Sequence, residues 1–175
     1  IPSIKQQRSS KSNKYQRIQG SAEKIQRRLI TQEDPKSPVS EAFRGLRTSL
    51  SYSDSNKDSK IILISSPGPG EGKTTTIVNL AITYANLGKK TLLIDTDLRK
   101  PVVHKVFSVD REPGISKYLS GIENDESKII KNTTTENLSV ITCGVIPPNP
   151  SEMLASKRME ELLEKLSDIY DVILL

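Results

Sequence analysis

Apolar positions along this chain fall in short dense runs, separated by stretches with helical spacing. Ile61-Ile62-Leu63-Ile64-Ser65 is an unbroken run ending at a Gly/Pro-rich loop. Thr91-Leu92-Leu93-Ile94-Asp95, Leu138-Ser139-Val140-Ile141-Thr142 and Asp171-Val172-Ile173-Leu174-Leu175 have the same character. Runs without alternation predict strands buried on both faces of a parallel sheet. Between them the apolar period lengthens. Phe43, Leu46 and Leu50 make one stripe of a helix over 37–50, with Ser37 as its cap and Pro38 as its first residue. Ile77, Leu80, Ala81, Tyr84 and Leu87 face one way on a helix from Thr74 to Leu87, which Gly88 stops. Asn149, Pro150 and Glu152 read as the cap, first-turn proline and capping-box partner of a helix whose apolar face is Met159, Leu162, Leu163 and Leu166. Residues 115–119 and 126–131 are shorter helical candidates. Strands alternating with helices predict an α/β fold, a mostly parallel sheet with helices on both faces.

The first 36 residues break this pattern. They are polar, rich in Ser, Gln and Lys, and predict a mostly flexible arm with a short helix over 22–30. The ordered domain is expected over 37–175. Eight basic side chains lie in the first 30 residues against one acidic one, Glu23, while the whole chain carries a net +5. The basic character therefore belongs to the arm. A solvated linker and a membrane-surface segment both fit it, since anionic lipid attracts polybasic stretches. A nucleic-acid arm fits least, because the stretch holds a single aromatic, Tyr15, and no binding module. Aromatic residues make up only 4% of the chain, so the core is aliphatic. The single cysteine, Cys143, excludes an internal disulfide and reads as a small buried residue after a strand. No apolar run approaches the roughly 20 residues that span a bilayer.

The chemistry sits in Ser66-Pro67-Gly68-Pro69-Gly70-Glu71-Gly72-Lys73-Thr74. A phosphate-binding loop needs glycines that turn backbone N–H groups inward, a lysine for the β- and γ-phosphates, and a hydroxyl for Mg²⁺. Gly68, Gly70 and Gly72 meet the first need, Lys73 the second and Thr74 the third. The nucleotide site is expected to include Pro69, Glu71, Thr75 and Arg99 as well. The pattern G-x-x-x-x-G-K-[ST] places glycine at 67, where this chain has Pro67. A second motif, Leu92-Leu93-Ile94-Asp95-Thr96-Asp97-Leu98-Arg99-Lys100-Pro101, puts two carboxylates at the carboxyl end of a core strand read as neighbouring the loop's strand. Ligands of open α/β sheets bind at that edge. Asp95 and Asp97 there suit Mg²⁺-water positioning and proton acceptance, two roles the sequence does not divide between them. The plain alternative is a strand end and a turn. His104 reads as a surface histidine.

These residues resemble the bacterial tyrosine kinases, P-loop kinases of capsular and exopolysaccharide synthesis. Residues 66–74 are similar to the family's Walker A motif, in which Pro67 is usual, and 92–101 to its Walker A′ motif. Glu41-x-x-Arg44-x-x-Arg47 resembles the helix through which such kinases assemble into rings, and Pro147-Pro148-Asn149-Pro150-Ser151-Glu152 resembles another family segment. On helix pattern alone, those three charges make a solvated face with an ordinary ion pair. The resemblance implies a P-loop NTPase three-layer sandwich. It implies ATP and Mg²⁺ as cofactors and Lys73, Asp95 and Asp97 as catalytic residues, with Thr74, Asp95 and Asp97 at the metal. It also implies a homo-oligomeric ring through Glu41, Arg44 and Arg47, a transmembrane chain-length regulator or activator domain, and a tyrosine phosphatase as partner. The cytoplasmic face of a bacterial plasma membrane follows as location. The family's Walker B aspartate and C-terminal tyrosine cluster would follow Leu175, so 1–175 reads as a C-terminally short piece with weak or no activity of its own. Two other functions stay open. One is a partitioning-type ATPase, whose signature lysine would fall at Gly68. The other is a nucleotide-gated assembly module without kinase activity.

Overall fold

The computed structural model describes residues 29–52, 60–68 and 70–175. Five strands form one sheet: β1 (Lys60–Ile62), β2 (Thr91–Ile94), β3 (Ile130–Asn132), β4 (Leu138–Ile141) and β5 (Val172–Leu174). Their order is β1-β5-β2-β4-β3. All neighbours are parallel except β3, which runs antiparallel to β4. The α/β expectation holds. The strand carrying Asp95, however, does not lie beside β1, because β5 is inserted between them. Its register pairs Ile61 with Ile173 on one side and Leu92 with Ile173 on the other.

The helices are α1 (Ile30–Glu33), α2 (Pro38–Tyr52), α3 (Lys73–Ala85), α4 (Val103–Val106), α5 (Ile115–Leu119), α6 (Pro150–Leu154) and α7 (Lys157–Ser167). They form two layers, and the pleat of the strands explains why. Leu93, Val140, Val172 and Leu174 point to the side of α3 and α4, where Val78, Leu80, Ile82 and Val106 bury them. Leu92, Ile94, Ile141 and Ile173 point the other way and meet Ile115, Leu119, Leu162 and Leu166 of α5 and α7. Each fully buried side chain of this kind stabilises the fold by about 1.5–3 kcal/mol. Cys143 is buried in the second layer, and its thiol is pushed up to about 11, chiefly by burial.

Several local expectations change. β1 is buried on one face only: Ile61 is 46% and Leu63 68% exposed, while Ile62 and Ile64 pack inward. β1 is an edge strand among the described residues, so its second face lacks the cover that a central strand has. α3 ends two residues before Leu87, which is 57% exposed in the turn closed by Gly88 at φ +82. The helical candidate over 126–131 is a 3-10 turn, Glu126–Lys128, followed by β3. The single helix expected after Pro150 is two, α6 and α7, separated at Ala155 and Ser156. Asn149 bonds the Glu152 side chain (2.8 Å) rather than capping backbone. Ser37 does accept from the Ser40 N–H at 3.1 Å. Packing begins upstream of Ser37. Buried Thr31 donates through its N–H and hydroxyl to Asn79 Oδ1, each at 2.9 Å, which ties α1 to α3. The helix expected over 22–30 lies, but for Leu29 and Ile30, outside the described residues.

Candidate functional site

Two loops leave the carboxyl edge of the sheet and face each other. The first connects β1 to α3. Gly70 (φ +81) and Gly72 (φ +94) adopt the left-handed backbone that glycine takes without strain. Gly72 is the residue before α3, and its carbonyl accepts the Thr76 N–H at 2.8 Å. The first N–H groups of this 13-residue helix consequently have no partner within it and mark an anion-binding end. Lys73 Nζ donates to Ser66 Oγ and to the Gly68 carbonyl, both at 2.8 Å. Gly68 N–H donates to Glu71 Oε2 at 3.2 Å. Hydrogen bonds from Ser66 and from Gly68 hold the Glu71 carboxyl below the usual carboxylate range.

The second loop follows β2. Asp95 is 4% exposed, with Oδ1 accepting from Asp97 N–H (3.3 Å) and Oδ2 from Val103 N–H (3.1 Å). Burial dominates those bonds and lifts its carboxyl from 3.8 to about 6. Asp97 is exposed and accepts from Arg99 and Lys100 N–H groups at 3.2 and 2.9 Å.

Between the loops lies a cleft of about 560 Å³, within the range of small-molecule sites. Gly68, Lys73, Thr74, Asp95, Asp97 and Arg99 line it, with Lys100 and Leu175. The structure therefore brings together the lysine, hydroxyl and carboxylates expected from sequence. Thr75 stands outside the lining, and its carbonyl accepts from Asn79 Nδ2 at 2.7 Å. Pro69 lies outside the described residues. His104 is half-buried and away from the lining. Burial and the charges of Lys105 and Arg111 lower its proton affinity. Glu41 and Arg44 form an i,i+3 ion pair, and Arg44 also donates to the Pro35 carbonyl. Arg47 turns inward, donating to the Thr83 carbonyl of α3 at 2.8 Å.

Two contacts were not read from the sequence, although Ser66 was placed in the loop. Ser66 holds Lys73, and the Val103 N–H holds Asp95. A serine before a Gly/Pro loop and a backbone donor eight residues past an aspartate carry no distinguishing signal.

A family model described as an AAA domain matches residues 59–175, which includes both loops. Tyrosine-protein kinase YwqD of Bacillus subtilis (strain 168) is 40% identical over 151 residues, 86% of this chain and 63% of YwqD. The chain belongs to this P-loop family, on its bacterial tyrosine-kinase branch. Two solved structures superpose closely. The kinase domain of Escherichia coli tyrosine kinase ETK gives a TM-score of 0.79 at 38% identity, covering 83% of this chain and 57% of that one. The chimerical protein CapA2B2 gives 0.77 at 40% identity, over 84% and 65%. The chain thus spans less than two thirds of those relatives. Among its described residues no helix is long and apolar enough to cross a membrane.

Proposed function

We propose that this chain supplies the nucleotide-binding and phosphoryl-transfer site of a protein-tyrosine autokinase that regulates capsular or exopolysaccharide synthesis. One observation carries the reading: Lys73, Thr74, Asp95 and Asp97 line a single cleft at the carboxyl edge of the sheet. Lys73 and the loop N–H groups bind the β- and γ-phosphates of ATP. Thr74, Asp95 and Asp97 are oxygen donors only, a set that suits Mg²⁺, which is held by one or two carboxylates together with substrate phosphates. The bound ion would neutralise charge on the transferred group. Asp95, whose buried carboxyl holds a proton up to about pH 6, suits acceptance of the tyrosyl proton. Exposed Asp97 suits metal-bound water. Arg99 and Lys100 add positive charge at the rim.

The rest of the reading is built on the helix α2. Glu41, Arg44 and Arg47 join subunits into a ring that presents a neighbour's tyrosine to the cleft. A transmembrane activator or chain-length regulator holds that ring at the cytoplasmic membrane face, and a tyrosine phosphatase reverses the modification. The resemblance to kinases of polysaccharide synthesis supports these parts.

The test is phosphotyrosine formation by the whole protein in Mg·ATP, with Lys73→Met as control. Phosphotyrosine that depends on Lys73 is the expected result. Phosphate release without phosphotyrosine refutes the kinase and favours an ATPase. Nucleotide-dependent assembly with neither product favours the non-enzymatic module. Gly68 already counts against an ATPase switch that works through a lysine at that position.

A further inference from the structure

The phosphate loop contains a carboxylate, and its placement is unexpected for a site that binds anions. Glu71 is fully exposed, yet it does not extend into solvent. Its Oε2 accepts the Gly68 N–H at 3.2 Å. Its polar neighbours Ser66 and Gly68, together with the Lys73 charge, favour its ionised form. Lys73 is drawn into the same group of atoms. Its Nζ donates to Ser66 Oγ and the Gly68 carbonyl at 2.8 Å, and the Ser66 hydroxyl donates to that same carbonyl at 3.1 Å. Gly68 makes the arrangement possible: a Cβ there would stand 2.8 Å from Glu71 Oε1. The carboxylate thus sits where a side chain at position 68 would crowd it.

We infer that Glu71 is a built-in anion of the phosphate loop, one that takes the Gly68 N–H and has to be displaced when a nucleotide polyphosphate seats. The inference rests on the nucleotide-binding reading above and adds a regulatory step to it. A carboxylate and a phosphate oxygen make the same demands, an acceptor and negative charge, so they compete for one set of donors. Glu71 has the advantage of being tethered two residues from Lys73. A polyphosphate has the advantage of more charge and of the N-terminal N–H groups of α3, which Glu71 does not use. Nucleotide therefore wins at saturation, and Glu71 lowers its affinity and slows its entry.

The experiment measures binding of a fluorescent ADP analogue with Mg²⁺ to the whole protein at fixed ionic strength. Glu71→Ala removes the competitor. Glu71→Asp keeps the charge but shortens the side chain by one methylene, out of reach of Gly68 N–H. Both variants are expected to bind about three- to tenfold tighter than wild type, the range for losing one solvent-exposed hydrogen bond from the competing state. The gain should appear mainly in the association rate. Gly68→Ala, whose Cβ evicts the carboxylate, serves as a third variant, with thermal melts to confirm folding. Tightening by Glu71→Ala alone, with Glu71→Asp unchanged, would show a simple charge effect and overturn the inference, as would unchanged or weaker binding in both. If wild type and Lys73→Met both fail to bind, the nucleotide reading itself fails and takes the inference with it.

Discussion

Asparagine at position 95 should make the protein more stable and less active. Burial lifts the Asp95 carboxyl from 3.8 to about 6. A tenfold change in proton affinity is about 1.4 kcal/mol, so keeping this carboxylate ionised at neutral pH costs the fold about 3 kcal/mol. Asparagine removes that cost. It keeps one acceptor oxygen for two N–H donors, Asp97 and Val103, and the donor left without a partner returns about 1–2 kcal/mol. Asp95→Asn is therefore expected to be more stable by about 1–2 kcal/mol at pH 7.5. The sign reverses in acid. Between about pH 4 and pH 6 the native state holds a proton that the unfolded chain has released, so wild-type stability falls as pH rises through that window and levels off above it. Below it the wild-type side chain is neutral too, and the variant has only its lost hydrogen bond. Urea unfolding followed by circular dichroism, in EDTA and without nucleotide, should show the stability difference moving by about 2 kcal/mol in the variant's favour from pH 4.5 to pH 7.5. A variant that is less stable than wild type at pH 7.5, or a difference that does not move with pH, would refute the burial argument. The same substitution should abolish phosphotyrosine formation, as expected where a strained charge is kept for function.

Two further predictions concern positions away from the cleft. Gly114→Ala places a Cβ 2.2 Å from Gly144 N and 2.4 Å from the Thr142 carbonyl; the loop must part from the segment that follows β4, and denaturant unfolding should register a loss of about 2 kcal/mol or more. Glu41→Lys breaks an exposed pair worth less than about 1 kcal/mol, so the fold should persist while the oligomer measured by light scattering falls apart; an unchanged size would refute assembly through α2.

What the sequence made legible was whatever depends on local chemistry. β2 and β5 are dense aliphatic runs because both faces are buried, and β4 follows them with one polar residue, Ser139. The glycines, Lys73 and Thr74 were readable because a phosphate cradle accepts few other residues at that spacing. The losses came where tertiary context decides. Ile61 and Leu63 belong to a run as apolar as the central ones, yet they stand exposed on an edge strand. Ile129 is 0% exposed and Ile130 half-buried, but two apolar residues in a polar stretch carry no period, so a turn capped by Asp125 and an edge strand passed for a helix. Arg47 gave the opposite difficulty. A charged residue off an apolar stripe reads as solvated, whereas its long side chain reaches a carbonyl on the neighbouring helix.

The strand order shows why one such error left the site prediction intact. The carboxylate strand was expected beside the phosphate-loop strand, and β5 separates them. Parallel strands, however, all deliver their carboxyl ends to one edge, whatever their order. The loop after β1, the loop after β2 and Leu175 just past β5 therefore line the same cleft. Leu175 N–H donates to the Ile62 carbonyl and its own carbonyl accepts from Ile64 N–H, at 2.9 and 3.1 Å. The inserted strand thus carries the hydrogen-bond ladder up to the base of the loop that holds Lys73. Adjacency sets the width of the cleft, and parallel direction decides which side chains enter it. The direction was readable, because alternating strands and helices leave few other ways to connect them.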